Sequence, residues 1–410
     1  MTQKNVLYKK RIIRELYFAG QLSCSDISER TRTSLPLATK MVGQLIEESY
    51  VVPSGYAAST GGRRPLNYSL RPGSLYIVSV AMDQRFTRLV LMDMQQKQVT
   101  PVATYAFPLA GHEATPDRLA GMINEYILSA GIGHTQIAGI GIGMPGFVDG
   151  NQGVNHSFLK TEGKGLAHFL TERTGIPVFL DNDSGLIALA EFRFGAARDT
   201  KDSLVINLGW GIGLGMILGG ERFKGHNGFA GEFSHLPLYS NNKLCSCGKS
   251  GCLETEASLQ EIIAKAEQGI ETGRPTVLSR NFPSGDSDLA VRAILVAAQR
   301  GDKFSVEIIS EAAYTIGRGI AILIHLLNPE SIVLSGRGAA AGKVWQAPIQ
   351  QALNEHCIPR LAACTAIEVS ALGHDAELMG AAALVIENYD MIGTQKKAGQ
   401  PRMRVNENPV

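Results

Sequence analysis

A chain of 410 residues is too long for one ordinary domain, so two or three compact units are expected. Its 44% hydrophobic and 19% charged residues are typical of an α/β protein and exclude a disordered or fibrous one. No apolar run reaches the ~18–20 residues of a membrane span, and no secretory signal follows the basic N-terminus, so we expect no membrane insertion and a cytoplasmic location.

The net charge of +1 is distributed unevenly along the chain. Residues 1–72 contain eleven Lys and Arg against five Asp and Glu, whereas the remainder contains 28 against 33. A basic N-terminal unit on a mildly acidic body predicts that the N-terminal unit binds a polyanion. A solvated helical face is the alternative explanation.

The N-terminal region begins with two predicted helices. Apolar residues at helical spacing mark one face of the first helix: Val6, Ile13, Leu16 and Tyr17. This helix ends at Gly20, because glycine is favoured just past a helix C-terminus. Ser23 followed by Asp26 is typical of a capping box, which opens a second helix that runs to about Arg30.

A third helix and a hairpin complete the N-terminal unit. Ser34 can cap this helix, and Pro36 is tolerated in its first turn because a missing N–H costs nothing there. Its inward face carries Ala38, Val42, Leu45 and Ile46, and its outward side carries Leu37, Thr39 and Lys40. Two short strands, at about 50–52 and 66–70, then enclose a glycine-rich loop. This order predicts a winged helix-turn-helix domain over residues 1–70.

A winged helix-turn-helix places its third helix in the major groove of DNA. We therefore predict operator DNA as a partner, contacted by these residues: Ser34, Leu37, Thr39, Lys40, Arg63 and Arg64. The two arginines lie on the wing, where they can approach phosphates or a narrow minor groove. A three-helix protein-interaction module that binds no DNA is the alternative.

From Ser74 the pattern changes to strands, and one order of elements occurs twice. A hairpin followed by helix and a further strand is predicted over 75–143 and again over 204–335. The repetition predicts two related α/β lobes, 71–184 and 185–388, with a ligand cleft between them. The C-terminal helix could return to the first lobe. The tail, 389–410, is expected to be disordered.

Four stretches of the body carry polar residues in a specific order. They are Gly-Met-Pro-Gly-Phe-Val-Asp (143–149), Asp-Asn-Asp (181–183) with Ala190-Glu191 eight residues on, Gly-Glu-Phe-Ser-His (231–235), and Cys-Ser-Cys-Gly-Lys-Ser-Gly-Cys-Leu-Glu (245–254). Together they resemble the ROK family of repressors, open reading frames and sugar kinases, in particular its branch of N-acetylglucosamine, glucose and xylose repressors. The resemblance implies a two-lobed actin/hexokinase-like (ribonuclease H-like) sugar-binding domain.

The last stretch contains a C-x-C-x4-C pattern formed by Cys245, Cys247 and Cys252. In a reducing compartment, clustered thiols indicate metal before disulfide. Three thiolates with one imidazole form a closed tetrahedral site of the structural zinc type, and His235 is the candidate fourth ligand. Three free thiols and a core histidine are the alternative. The other cysteines are expected to be buried small hydrophobes: Cys24, Cys357 and Cys364.

The resemblance also implies that a sugar or sugar phosphate binds in the cleft. It assigns six residues to the sugar: Gly146 at the rim, Asn182 and Asp183 at the middle hydroxyls, and Glu232, His235 and Glu254 at the anomeric end. Carboxylates and amides supply the acceptors and donors that sugar hydroxyls need. Because glucose, N-acetylglucosamine, xylose and their phosphates share these hydroxyls, the effector is left open.

Family kinases carry Asp-x-Gly-Gly-Thr in the first hairpin, where glycines let backbone N–H groups approach the phosphates of ATP. Here the chain reads Asp83-Gln84-Arg85-Phe86-Thr87, and both glycines are gone. We therefore predict a repressor, not an enzyme, that binds DNA as a homo-oligomer, either dimer or tetramer. The alternative is an active ATP-dependent sugar kinase with an appended DNA-binding module, in which Asp183 would be the general base.

Overall fold

The computed structural model describes residues 3–56, 64–111, 114–240 and 242–392. Its N-terminal unit has three helices and three short strands: α1 Gln3–Ala19, β1 Leu22–Ser23, α2 Cys24–Thr31, α3 Leu35–Glu47, β2 Val51–Tyr56 and β3 Leu66–Leu70. The strands form one sheet in the order β1-β3-β2. This is the predicted winged helix-turn-helix, with an additional strand, β1, that the sequence did not reveal.

Two features of the first two helices follow from local sequence. Ser23 and Asp26 form the predicted capping box, in which each side chain accepts from the other residue's backbone N–H. The inward stripe of α1 differs from the prediction at its start, because Val6 is 41% exposed whereas Ile12 is buried. Val6 therefore lies outside the buried apolar stripe of α1, whose first member is Ile12.

The start of α3 also departs from the prediction. Ser34 occupies the N-cap position, but within the described residues its side chain makes no capping hydrogen bond. Pro36 at the second helical position lacks an N–H and so removes one of the two donors that a cap side chain can reach. Leu37 is partly buried against the core rather than facing outward, and Leu35 is the exposed leucine, at 48%.

The first lobe of the body is built around a five-stranded sheet. Its elements are β4 Tyr76–Met82, β5 Phe86–Asp93, β6 Ala103–Ala106, α4 Pro116–Ser129, β7 Ile137–Met144, β8 Val148–Asp149, β9 Val154–Asn155, α5 Leu166–Thr174 and β10 Val178–Asn182. The main sheet has the order β10-β7-β4-β5-β6. Strands β4, β5 and β6 are antiparallel, whereas β7 and β10 run parallel to β4.

The second lobe repeats this arrangement. Its elements are α6 Asp183–Phe194, β11 Ser203–Leu208, β12 Ile212–Leu218, β13 Glu221–Phe223, α7 Glu254–Ala257, α8 Leu259–Glu271, α9 Ser287–Gln299, α10 Lys303–Leu327, β14 Ser331–Ser335, α11 Gln346–His356, α12 Pro359–Ala362, β15 Ala366–Val369 and α13 Ala376–Glu387. The sheet order β13-β12-β11-β14-β15 again combines an antiparallel meander with two parallel strands. The predicted two-lobed fold is therefore confirmed.

Helix α13 packs against α6 and the first-lobe strands β4 and β7, although it follows the second lobe in the chain. A Cβ atom at Gly141 would lie 1.9 Å from the carbonyl oxygen of Ala381, and one at Gly380 would lie 2.0 Å from that of Leu186. The absence of side chains at these two positions lets the backbones approach closely. As a result, α13, which packs on the first-lobe strands, contacts α6, which packs on β11 and β12, and the two helices join the lobes.

The N-terminal unit shares a hydrophobic core with the first lobe. Tyr17 and Leu16 of α1 belong to the same buried cluster as Ile77 of β4 and Val385 of α13. Phe194 at the end of α6 packs edge-on against Tyr17, with 6.1 Å between ring centroids. A displacement of either unit therefore disturbs packing in the other, because close-packed cores transmit strain.

Among the described residues, no helix combines the length and the hydropathy needed to cross a bilayer.

Candidate functional site

The N-terminus of α6 holds two candidate sugar residues at the floor of the cleft. Asn182 caps the helix, because its side-chain oxygen accepts from the backbone N–H groups of Ser184 and Gly185 at 3.0 and 3.3 Å. Its Nδ2 donates to the carbonyl oxygen of Gly146 at 3.1 Å. Asp183 is the first residue of α6. The strand-to-helix turn therefore fixes the positions of both side chains.

Asp183 lies in an environment that disfavours its charge. Burial raises the pKa of its carboxyl group to about 6, although the N–H and hydroxyl of Ser184 favour the ionised form. The carboxylates of Asp83 and Glu232 raise this pKa further. At pH 7 the group is still mostly ionised, so it can accept a hydrogen bond from a hydroxyl.

The rim of the cleft is formed by the turn after β7. Gly146 has a φ of +89°, and a Cβ atom there would lie 2.6 Å from the Cβ of Ser157, so the turn requires glycine. The next residue, Phe147, is 47% exposed and packs edge-on against Phe229, with 5.4 Å between centroids. Both rings line the cavity. This aromatic pair was not predicted from the sequence, although Phe147 stands within the stretch 143–149.

The second lobe supplies the opposite wall through Glu232, His235 and Glu254. Gly231 has a φ of +110° and approaches the carbonyl oxygen of Leu214 so closely that a Cβ would lie 2.4 Å from it. This turn leads directly into Glu232, whose Oε2 lies 3.6 Å from Nε2 of His235. The structure thus brings the six predicted sugar residues together around one cavity of about 490 Å³, within the size range of small-molecule sites.

The four predicted metal ligands also come together. The candidate ligand atoms of His235, Cys245, Cys247 and Cys252 lie within 4.8 Å of one another. Nδ1 of His235 is 3.5 Å from the Sγ of Cys245, and the Sγ atoms of Cys247 and Cys252 are 3.7 Å apart. These residues could hold a metal ion.

Two of the six separations between these ligand atoms, 3.5 and 3.7 Å, match those around a tetrahedral zinc ion. Zinc–sulfur bonds of 2.3 Å and zinc–nitrogen bonds of 2.0–2.1 Å give ligand–ligand distances of about 3.5–3.8 Å. A turn at Gly251 lets the cysteine loop pass close to the backbone of Tyr239, because a Cβ at Gly251 would lie 1.9 Å from the carbonyl oxygen of Tyr239.

Of the isolated cysteines, Cys357 is buried as expected. Cys24 is only half-buried, and Cys364 is exposed because it lies in the turn between α12 and β15.

The turn between β4 and β5 contains Asp83, the first residue of the stretch Asp-Gln-Arg-Phe-Thr. One oxygen of Asp83 accepts from the backbone N–H groups of Arg85 and Phe86 at 2.8 and 2.7 Å. Its other oxygen accepts from Nε1 of Trp210 at 2.9 Å and from Arg337 at 3.3 Å. Because Trp210 and Arg337 belong to the second lobe, Asp83 bridges the two lobes.

The predicted DNA-contacting residues lie on α3 and at the wing. Ser34, Thr39, Lys40 and Arg64 are exposed. Leu37 is only partly exposed, as described above, so it offers less surface than the prediction assumed. Arg63 lies outside the described residues.

The body is a duplicated two-lobed α/β fold with an acidic cleft between the lobes, and a Cys3His cluster lies beside that cleft. Together with the N-terminal winged helix-turn-helix, these features define the class of protein: a sugar-kinase-like fold that carries a module of the DNA-binding type. The family model of the ROK family matches residues 87–388. The chain belongs to the ROK family.

Individual relatives resemble the chain over most of its length. The DNA-binding transcriptional dual regulator NagC of Escherichia coli is 30% identical over 372 residues, which cover 89% of each protein. The crystal structure of a ROK family transcriptional regulator, a homologue of the Escherichia coli MLC protein, has a TM-score of 0.76 at 25% identity and covers 95% of this chain and 98% of that one. A ROK family glucokinase from Streptomyces griseus, in complex with glucose and AMPPNP, has a TM-score of 0.65 at 26% identity and covers 75% of this chain and 98% of that one.

Proposed function

We propose that this protein is a sugar-responsive transcription regulator, a repressor of genes for sugar uptake or catabolism. Residues 1–70 bind operator DNA, the lobes at 71–184 and 185–388 bind a sugar or sugar phosphate between them, and the protein acts as a homo-oligomer. The observation that carries the proposal is the sharing of one hydrophobic core by a DNA-binding type of module and a sugar-kinase-like body. The similarity to transcription regulators over 89% and 95% of the chain supports it.

The surface of the N-terminal unit supports DNA binding. Its excess of basic residues favours the phosphate backbone. The exposed polar groups of Thr39 and Lys40 lie on α3, and Arg64 lies at the wing. A dimer would present two copies of α3 to two half-sites, which is the usual geometry of helix-turn-helix readers.

A chain of ion pairs supports coupling between sugar and DNA. Asp181 precedes the sugar residue Asn182 in the sequence, and its carboxylate pairs with Arg222 at 3.0 Å. Arg222 also pairs with Glu387 at 3.1 Å, which in turn pairs with Arg193 at 2.7 Å. Because the strand that carries Arg222 borders the cleft, a sugar that shifts it would change contacts further along the chain.

The ion-pair chain ends on the DNA-binding module. The guanidinium of Arg193 lies over the ring of Phe18 of α1, 4.4 Å from its centroid. A sugar that prefers one arrangement of these groups would therefore favour one position of α1, and with it one spacing of paired recognition helices.

The Cys3His cluster is proposed to hold a structural zinc ion. With all four positions taken by protein ligands, the ion would have no open position for a substrate, so its role would be to order the chain. His235 would be held by the ion through Nδ1, which leaves Nε2 directed toward Glu232.

We propose that the protein does not phosphorylate its sugar. Phosphoryl transfer depends on preorganised groups around the phosphates, and the Asp83 turn is instead saturated by bonds to its own backbone, Trp210 and Arg337. The alternative is an active sugar kinase with an appended DNA-binding module. It is supported by the structural similarity to a glucokinase that was solved with glucose and AMPPNP.

A thermal-shift screen with N-acetylglucosamine, glucose, xylose and their phosphates tests the sugar half of the proposal. At least one compound should raise the melting temperature of the wild type, and Glu232→Gln should abolish that shift. Glu221→Gln, an exposed glutamate of the same lobe, is the matched control. A wild type that responds to no sugar in this panel would contradict the proposed sugar site.

The same compounds with ATP and magnesium, in a coupled assay for ADP, test the enzymatic half. We expect no turnover above background. Turnover that Asp183→Asn abolishes would contradict the non-enzymatic assignment and support the kinase alternative.

A further inference from the structure

A second cavity, of about 440 Å³, lies between the DNA-binding module and the body. Helices α1 and α2 contribute Arg14 and Arg30 to one wall, and the body contributes Arg193 and Arg222 to the other. It is distinct from the sugar cleft, although Asp181, Arg222 and Lys224 border both. The candidate sugar residues do not line this cavity, although the ion pairs proposed to couple sugar to DNA do.

Its walls carry more positive than negative groups. The cations are Arg14, Arg30, Arg193, Arg222 and Lys224, and the acids are Glu15, Asp181 and Glu387. Each acid is already shared by two of these cations. Asp181 pairs with Arg222 and Lys224, and Glu387 pairs with Arg193 and Arg222.

The third acid is shared in the same way on the other wall. Glu15 lies 3.3 Å from Arg14 and 3.8 Å from Arg30. Arg14 also reaches Asp390 at 3.5 Å, outside the cavity wall, and Asp390 is itself shared with Arg11. Each of the three acids is therefore already paired, and five cations against three acids leave an excess of positive charge along the cavity wall.

Arg193 adds an unused donor. Its Nε–H is buried, and no acceptor in the described part of the chain bonds to it. The same guanidinium is fixed in orientation by Phe18 on one side and Glu387 on the other. Because this Nε–H is shielded from solvent, other nitrogens of the guanidinium would contact an anion in the cavity that Arg193 lines, and a guanidinium fixed in this way suits a planar or tetrahedral oxyanion.

We propose that this cavity binds a phosphate group, either free phosphate or a small phosphate monoester, as a second ligand site that is separate from the sugar cleft. Arg193 binds the anion from the body, and Arg30 binds it from α2. Because the ligand would contact both units, its binding stabilises the docked position of the DNA-binding module. The inference goes beyond the proposed sugar response and does not depend on it.

The experiment uses the full-length protein with two probes, inorganic phosphate and glycerol 3-phosphate. Calorimetric titration and thermal shift are measured against sodium chloride at matched ionic strength, so that general screening is common to both arms. Wild type should bind at least one probe, with a higher melting temperature than in chloride. Arg193→Gln and Arg30→Gln should each weaken binding about ten-fold, the usual scale for one hydrogen bond to a charged group.

Matched variants distinguish binding from unfolding. Arg30 is 51% exposed, so Arg30→Gln should fold even if Arg193→Gln does not. Arg173→Gln, an arginine 55% exposed and paired with Asp117 on another surface, should bind as the wild type does. Tighter binding of phosphate or of the monoester would identify which source the site takes. Wild type that binds neither probe, or unchanged affinity in both Arg193→Gln and Arg30→Gln, would overturn the inference.

Discussion

Cys247 is the exposed member of the Cys3His cluster, so its replacement disturbs packing least while it removes a ligand. We expect wild type to contain about one zinc per chain. Cys247→Ser should lose the metal and about 2 kcal/mol of stability, because a lost metal removes the constraint on the loop. Metal analysis by mass spectrometry and thermal unfolding measure the two effects. Cys364→Ser, at an exposed cysteine outside the cluster, is the control, and freshly isolated wild type without zinc would refute the site.

Asp183 predicts a pH dependence of stability. The pKa of the Asp183 carboxyl group is about 6 in the folded protein, whereas its ordinary value is 3.8. The folded state therefore binds the proton of this carboxyl group more tightly than the unfolded state does. The contribution of protonated Asp183 to the free energy of unfolding is therefore complete below about pH 4 and is lost as pH rises through 6. Asp183→Asn should show a shallower decline of unfolding free energy between pH 4.5 and 7.5 in urea titrations. The exposed Asp117→Asn should follow the wild type, and an equally steep decline in Asp183→Asn would refute this role for burial.

At the scale of elements, the wing predicts how DNA affinity depends on salt. Each phosphate contact contributes a slope of about −0.9 to the dependence of log K on log salt. Replacement of both Arg63 and Arg64 by Ala should weaken operator binding and make the slope shallower by roughly 1 to 2. Fluorescence anisotropy across a salt series measures both quantities. Arg173→Ala should leave the slope unchanged, whereas an unchanged slope in the double variant would remove the wing from the DNA interface.

The elements with strong local signals could be predicted from the sequence. The capping box at Ser23 and the hairpin strands of both lobes are set by neighbouring residues, and they stand where the pattern placed them. The failures have tertiary causes. Strand β1 has only two residues and exists because it pairs with β3. Leu37 packs against a hydrophobic core formed by residues of several elements, which the periodicity of α3 alone does not show.

The candidate site was predictable where motifs stand together in the sequence. The candidate metal ligands and candidate sugar residues lie in four short stretches, and the resemblance to a known family pointed to them. The aromatic rim and the ion pairs of Arg193 could not be predicted, because they join residues far apart in the chain. The side chains that meet across two lobes depend on how the lobes are oriented.

At the scale of the whole molecule, the shared core and the ion-pair chain connect the winged helix-turn-helix module to the lobes that enclose the candidate sugar cleft. The sugar and the operator DNA are therefore expected to change each other's affinity for the protein. By thermodynamic reciprocity, a sugar that weakens operator binding by some factor must itself bind more weakly by that same factor when the operator is present.

The most direct test of this claim is the operator affinity of one preparation with and without the sugar that gives the largest thermal shift, using DNA selected from a random-sequence library. We expect the sugar to weaken operator binding by about 5- to 150-fold, the usual range for allosteric coupling, and the operator to weaken sugar binding equally. A sugar that binds the protein but leaves the operator dissociation constant unchanged would contradict the account.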